Sequence, residues 1–290
     1  NIVSTSHPLA AQAGLRMMFK GGNAVDAAIA GAVLLGICEP QMTGIGGDCF
    51  VLLKPAGEER VLALNGSGRA PAAASAAALR DQGHDTVPLR GVEAVTLPGA
   101  MDAFCRLSND WGKLGLDRVL APAIHYAEEG VPVAPRVAFD WADDAPFLQG
   151  KARDFFLLDG AVPRAGQIFR AKGQAEVLRR VARQGRAGFY EGEVAEDLIG
   201  SLNALGGAHT LDDLAATHCT WGEPVAGDYG DVTVLEHPPN GQGATAILML
   251  NILKHFDLKS MNPFGAQRAH IEAEAGKLAY DTRNRFIAEH

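Results

Sequence analysis

Three glycines in four positions, Gly44-Ile45-Gly46-Gly47, lead through Asp48 into an apolar run over 49–53. A glycine-rich turn beside a strand can hold phosphate on its backbone amides. This one has neither the G-K-[ST] of a P-loop nor the spacing of a dinucleotide fingerprint, so a tight turn in which backbone approaches backbone or ligand is the simpler reading. Nine histidines are present, yet none sits in H-E-x-x-H or another metal-ligand spacing, and His270-Ile271-Glu272-Ala273-Glu274 reads as the polar face of a helix. Cys38, Cys49, Cys105 and Cys219 form no C-x-x-C pair and read as buried thiols, neither a zinc knuckle nor a disulfide framework. There is no G-x-S-x-G elbow for a serine nucleophile.

These residues need elements to position them. Ser6-His7-Pro8 offers a capping hydroxyl and a first-turn proline, and Leu9, Ala13 and Met17 then recur at helical spacing up to Gly21-Gly22. Asn23 caps a second helix in which Val25, Ala28, Ile29, Ala32 and Val33 cover most of the circumference, so it is expected to be buried. The strand over 49–53 turns through 55–59 to a partner over 60–64. Helical spacing also fits 72–82, 116–130, 174–184, 192–205 and 244–255, with a capped start at Thr210-Leu211-Asp212-Asp213 and a strand at 231–236. The segment His237-Pro238-Pro239-Asn240-Gly241-Gln242-Gly243 is a loop, because its prolines and glycines forbid regular structure. No internal repeat or low-complexity linker interrupts the chain.

The 290 residues, 47% hydrophobic and 21% charged, suit a folded chain of one large or two ordinary domains. Lys and Arg number 26 against 34 Asp and Glu, and the net charge of -8 would repel a phosphate backbone, so nucleic acid is not an expected partner. The longest apolar stretch, 27–38, falls short of the roughly 20 residues a membrane helix needs, so no membrane partner is expected. The sequence opens at Asn1 without Met or a signal-like segment and closes inside a helical pattern over 267–290, so more chain is expected after His290. A cytoplasmic setting is expected, with a periplasmic one as the alternative.

His7-Pro8-Leu9-Ala10-Ala11, Gly21-Gly22-Asn23-Ala24-Val25-Asp26-Ala27-Ala28 and Gly44-Ile45-Gly46-Gly47-Asp48 together resemble the start of the gamma-glutamyltranspeptidase family. The resemblance continues, in order, through Leu120-Ala121-Pro122-Ala123-Ile124, Ala127-Glu128-Glu129-Gly130, Phe189-Tyr190-Glu191-Gly192, Leu211-Asp212-Asp213-Leu214, Pro238-Pro239 with Gly241 and Gly243, and Lys277-Leu278-Ala279-Tyr280. It implies an N-terminal nucleophile hydrolase of the mixed α/β (α+β) class, a four-layer αββα sandwich completed by a second chain, with a mostly helical middle. Residues 1–290 would then be the large-chain part of one such domain, with no independent second domain. Members are made as precursors that cleave themselves before a Thr, whose hydroxyl attacks an amide carbonyl while its free α-amine acts as base. The expected partners are the small C-terminal chain of the same precursor and a small-molecule amide substrate, with a dimer of heterodimers as a further arrangement. No catalytic nucleophile is expected within 1–290, Asn1 having neither hydroxyl nor thiol, and neither metal nor cofactor is implied.

One segment departs from the family pattern. Relatives place an Arg, which pairs with the substrate's α-carboxylate, two positions before the residue that precedes Ala-Pro. Here Leu64-Asn65-Gly66-Ser67-Gly68-Arg69-Ala70-Pro71 puts Ser67 at that position and an Arg at Arg69. A neutral hydroxyl cannot reproduce a bidentate guanidinium fork. Ser67 and Arg69 are therefore the candidate substrate-binding residues, Arg69 either as a relocated clamp suited to a shorter acid or as the partner of a structural carboxylate. The loop at 238–243 also resembles the branches that include oxamate-type amidohydrolases and acylases. Hydrolysis of a small carboxylate-bearing amide, gamma-glutamyl hydrolysis or transfer, acylase activity and a non-catalytic relative are the readings in play.

Overall fold

In the computed structural model, which describes residues 1–287, helix α1 covers Pro8–Phe19 and helix α2 covers Ala24–Cys38. The cap of α1 is His7 rather than Ser6: its imidazole Nδ1 accepts from the Leu9 amide at 3.2 Å. Burial lowers the His7 pKa against the opposing pull of Glu39, which favours the neutral ring that such an acceptor requires. Ser6 turns the other way and donates to Glu39 Oε2 at 2.6 Å. Ala10, Ala13, Gly14 and Met17 form the buried stripe, with Leu9 half-buried beside it.

The start of α2 explains the Gly-Gly-Asn-Ala-Val-Asp run. Asn23 Oδ1 accepts from the Val25 and Asp26 amides, and Asp26 Oδ2 accepts from the Asn23 amide at 2.8 Å, a reciprocal capping box. The Asp26 carboxylate is completely buried and accepts two further backbone bonds, from Lys113 at 3.1 Å and Leu114 at 3.2 Å, while Asn23 Nδ2 donates to Trp111 O at 2.6 Å. Gly22 lets these segments close up, since a Cβ there would sit 2.7 Å from Leu114 Cδ1 and 2.8 Å from Met17 O. Val25, Ile29 and Val33 are buried as expected, but Ala28 is exposed and Ala32 half-buried, so one side of α2 stays open in this chain.

The chain forms two compact units. The first, Asn1–Asp48 with Gly68–His218, adds mainly helices: Ala100–Trp111, Leu116–Glu129, Pro135–Asp144, Lys172–Gln184 and Gly192–Ala204, plus a two-stranded ribbon of Val131–Pro132 with Ile168–Phe169. This is the mostly helical middle that was expected. The helix expected over 72–82 is shorter, Ala76–Asp81, because Ser75 caps it and the Ala72 amide instead donates to Asp213 Oδ1. Asp213 also completes a capping box with Thr210, and the Ala72 and Thr210 bonds hold its carboxyl below the ordinary carboxylate range. Tyr190 is buried, donating to Pro98 O at 2.7 Å and accepting from the Asp102 amide at 3.0 Å. Arg186 spans the same corner, from Asp102 Oδ1 to the carbonyls of Ala215 and Thr217.

The second unit, Cys49–Ser67 with Cys219–His290, holds an antiparallel sheet in the order β1 (Cys49–Leu53), β2 (Leu62–Gly66), Thr220–Gly222. Strand β2 lies two residues later than expected, with Cys49 opposite Gly66 and Leu53 opposite Leu62. A shift of two preserves every inward and outward position, so alternation alone did not distinguish the registers. A hairpin of Val225–Tyr229 and Val232–Glu236 supports helix Gly243–Leu253, which packs on helix Ala266–Phe286 around Leu253, Leu258 and Ala275. The helical pattern expected over 267–290 is thus seen as far as Phe286, and its last three positions, 288–290, lie outside the described residues.

Removing the buried Asp26 carboxylate leaves the Lys113 and Leu114 amides unpaired. Asp26→Ala is expected to destabilise the full-length protein by about 2–4 kcal/mol, read as a lowered urea midpoint at unchanged m.

Candidate functional site

Ser67 follows β2 in the second unit, and the loop at 237–242 is brought to it by His237. The His237 ring is buried, with Nε2 3.0 Å from Leu64 O in β2, Nδ1 2.9 Å from Pro238 O, and Phe50 of β1 edge-on at a centroid distance of 4.9 Å. With the loop pinned there, Asn240 reaches both Asn65 and Ser67. Asn65 Nδ2 donates to Asn240 Oδ1 at 3.2 Å, Asn240 Nδ2 donates to Ser67 Oγ at 3.0 Å, and the Ser67 amide donates to Asn65 Oδ1 at 2.9 Å. The result is a ring of neutral amide and hydroxyl groups, with Ser67 half-buried and Asn240 exposed. A guanidinium would bring positive charge to this position; Ser67 brings a hydroxyl.

Arg69 belongs to the first unit and is exposed. Its carbonyl accepts from the Leu97 amide at 2.9 Å, and the preceding Gly68 amide donates to Asp48 Oδ1 at 3.2 Å. Gly68 is obligatory, because a Cβ there would lie 1.4 Å from Leu97 O. The glycine turn at 44–47 joins the same junction: Gly47 O accepts from the Gly99 and Ala100 amides at 3.1 and 2.9 Å. A carbonyl therefore occupies the start of helix Ala100–Trp111, but close approach is not what calls for the glycines themselves: a Cβ at Gly44 or Gly46 would meet nothing within 4 Å, and one at Gly47 only Gly44 O at 4.0 Å.

Burial pushes the Cys38 and Cys105 thiols up to about 12, with Glu39 and Asp102 adding to the effect, so neither supplies a thiolate near neutral pH. Cys219 is buried as expected, but Cys49, on β1, is only half-buried. Glu272 pairs with Arg268 and Glu274 with Lys277, as expected of a polar helix face around His270. Among the described residues no group of three or more His, Cys, Asp or Glu side chains is arranged to hold a metal ion, and no helix is long and apolar enough to cross a membrane.

Sequence reasoning singled out Ser67 but not Asn65, Asn240 or His237. Asn65 and Asn240 are separated by 175 positions, and only the fold reveals their pairing.

A family model for gamma-glutamyltranspeptidase matches residues 10–290, and the chain belongs to that family. It is 36% identical over 293 residues to the glutathione hydrolase-like YwrD proenzyme of Bacillus subtilis, covering 99% of this chain and 55% of the relative. It is 34% identical over 292 residues to the oxamate amidohydrolase proenzyme of Klebsiella pneumoniae, covering 98% and 54%. The crystal structure of Helicobacter pylori gamma-glutamyltranspeptidase superposes with a TM-score of 0.92 at 28% identity, covering all of this chain and 84% of that one. The fold is therefore that of the expected N-terminal nucleophile hydrolase class. The chain spans about half the length of the curated relatives it matches.

His237 ties the loop to the sheet by one buried bond to β2 and one ring contact to β1. His237→Ala is expected to cost about 1–3 kcal/mol and to speed amide hydrogen exchange over 237–243 more than in the remainder of the second unit.

Proposed function

We propose that this chain is the large subunit of an autoprocessed amidohydrolase that cleaves the amide of a small carboxylate-bearing substrate, using a threonyl nucleophile on a second chain cut from the same precursor. The observation that carries the substrate class is Ser67, held among neutral side chains where the family pattern has a carboxylate-binding Arg. Each charge-assisted bond of a guanidinium fork contributes roughly 1.5–3 kcal/mol, so its loss weakens an α-carboxylate contact by one to several powers of ten. Arg69 is assigned the carboxylate of a shorter acid. The likeness to an oxamate amidohydrolase supports this assignment.

In the reaction the Thr oxygen bonds to the amide carbon, and its proton passes through the free α-amine to the leaving nitrogen as the C–N bond breaks. Water then adds to the resulting ester, releasing the acid and restoring the hydroxyl. The alternative, a gamma-glutamyl hydrolase or transferase in which Arg69 takes over the fork, is favoured by the likeness to a glutathione hydrolase-like proenzyme.

A second chain is also favoured by surface chemistry. Helix Gly243–Leu253 reads Gly-Ala-Thr-Ala-Ile-Leu-Met-Leu-Asn-Ile-Leu, yet only Gly243, Thr245 and Leu253 are buried, and Phe50 and Leu52 of β1 are each about 40% exposed. A helix apolar on all sides belongs in an interior. We assign its cover to the small chain, so that both units become parts of one catalytic domain. Residues 1–290 expressed alone are expected to bind a hydrophobic dye and to aggregate, whereas co-expression with the remainder of the precursor abolishes both; a soluble, cooperatively unfolding monomer would contradict this.

The substrate reading is tested on the full-length protein by comparing kcat/KM for oxamate and gamma-glutamyl-p-nitroanilide. Oxamate is expected to be preferred. Arg69→Ala lowers kcat/KM for oxamate at least tenfold, Arg69→Lys recovers it in part because an ammonium lacks the fork, and Ser67→Arg raises hydrolysis of the anilide. Preference for the glutamyl compound, unaffected by Arg69→Ala, would overturn the reading.

A further inference from the structure

We propose that Asn240 is a positioning residue that turns the Ser67 hydroxyl into a committed hydrogen-bond donor, so that the site selects substrates presenting an accepting oxygen to Ser67. The inference rests on reading Ser67 as a substrate contact, and its basis is the direction of the hydrogen bonds around the ring.

A backbone N–H only donates, so the Asn65 atom 2.9 Å from the Ser67 amide is the carbonyl oxygen. That orientation leaves the Asn65 amide nitrogen facing Asn240, where it donates to Oδ1 at 3.2 Å. Asn240 is oriented in turn, and its Nδ2 donates to Ser67 Oγ at 3.0 Å. Ambiguity in amide orientation is thereby removed from one fixed donor onward. Ser67 Oγ receives a hydrogen bond, and its own proton remains to be given away.

The ring offers that proton only a 3.3 Å contact back to Asn240 Oδ1, which already accepts from Asn65. A substrate oxygen can therefore take the Ser67 proton without breaking any of the three shorter bonds. Bonds arranged head to tail polarise one another, and donation into Oγ strengthens the outgoing O–H. Replacing Asn240 by Asp reverses the direction: a carboxylate only accepts, so it captures the Ser67 proton.

The test measures kcat and KM for oxamate on the full-length protein and its Ser67→Ala, Asn240→Ala, Asn240→Asp and Ser67→Ala/Asn240→Ala forms. Ser67→Ala and Asn240→Ala are each expected to lower kcat/KM about five- to tenfold, chiefly through KM, and the double variant is no worse than either alone. Asn240→Asp falls at least as far despite its nearly unchanged shape, and it carries the test if the alanine form fails to fold. If Ser67→Ala lowers kcat/KM while Asn240→Ala and Asn240→Asp match the unsubstituted protein, or if the two losses multiply in the double variant, Asn240 has no positioning role and the reading of Ser67 stands. If Ser67→Ala is without effect, the reading of Ser67 fails and this inference fails with it.

Discussion

The first unit is organised around one carboxylate. Asp26, itself completely buried, closes the capping box of α2 and takes backbone N–H donors from Asn23, Lys113 and Leu114. A buried carboxylate is tolerated only when its oxygens are satisfied, and here backbone donors from its own helix start and from one distant segment do so. The arrangement fixes where α2 begins and where the turn after helix Ala100–Trp111 must pass. Gly22 is the steric counterpart, since any side chain there would push Leu114 and Asp26 apart. The other end of that helix is set by the Gly47 carbonyl, which holds its first amides and so places Asp48 beside Gly68. Local capping and long-range positioning are thus performed by the same few polar atoms.

In the second unit a histidine does the comparable work. His237 anchors a loop that cannot be helix or strand, given Pro238 and Pro239, to the carbonyl of Leu64 in β2. Asn240 is thereby set against Asn65 and Ser67, and a neutral hydrogen-bonded ring stands where the family pattern has a cation. Arg and Ser differ here in charge and also in number of donors: a fork recognises two oxygens of one carboxylate, a hydroxyl recognises one oxygen. On the proposed reading, that difference alone would shift the class of substrate accepted, with no change of backbone architecture.

The same unit carries an apolar helix that its own chain leaves half covered, and a strand whose Phe50 and Leu52 are each about 40% exposed. With the chain spanning about half of its curated relatives, this surface is what a large chain would present to the remainder of its precursor. Under the proposed pairing, stability and catalytic competence would depend on the same association.

Much of this was legible in the sequence because it is local. The cap at Asn23, the stop at Gly21-Gly22, the box at Thr210 and Asp213, and helix Leu116–Glu129 all follow from residue types a few positions apart, and the ordered motifs were enough to place the family. The departure at Ser67 was equally visible, since it needed only a count back from Ala70-Pro71. What the sequence left open was decided by contacts across long separations. Strand β2 lies two residues later than the expected 60–64, a shift that a pattern repeating every two residues does not reveal. Ser6 yielded the cap of α1 to His7 because Glu39, 33 residues on, takes the Ser6 hydroxyl. Ala28 lies on an open side of a helix that was expected to be buried because apolar residues cover most of its circumference. The Asn65, Asn240 and Ser67 ring joins a strand end to a loop 173 residues away, and hydrogen-bond direction is a property of three-dimensional placement that no spacing rule encodes. Sequence therefore determined most of the elements, several of their caps and the family, whereas tertiary structure alone decided which polar atoms face one another at the site, because those partners are brought together only by the folded backbone.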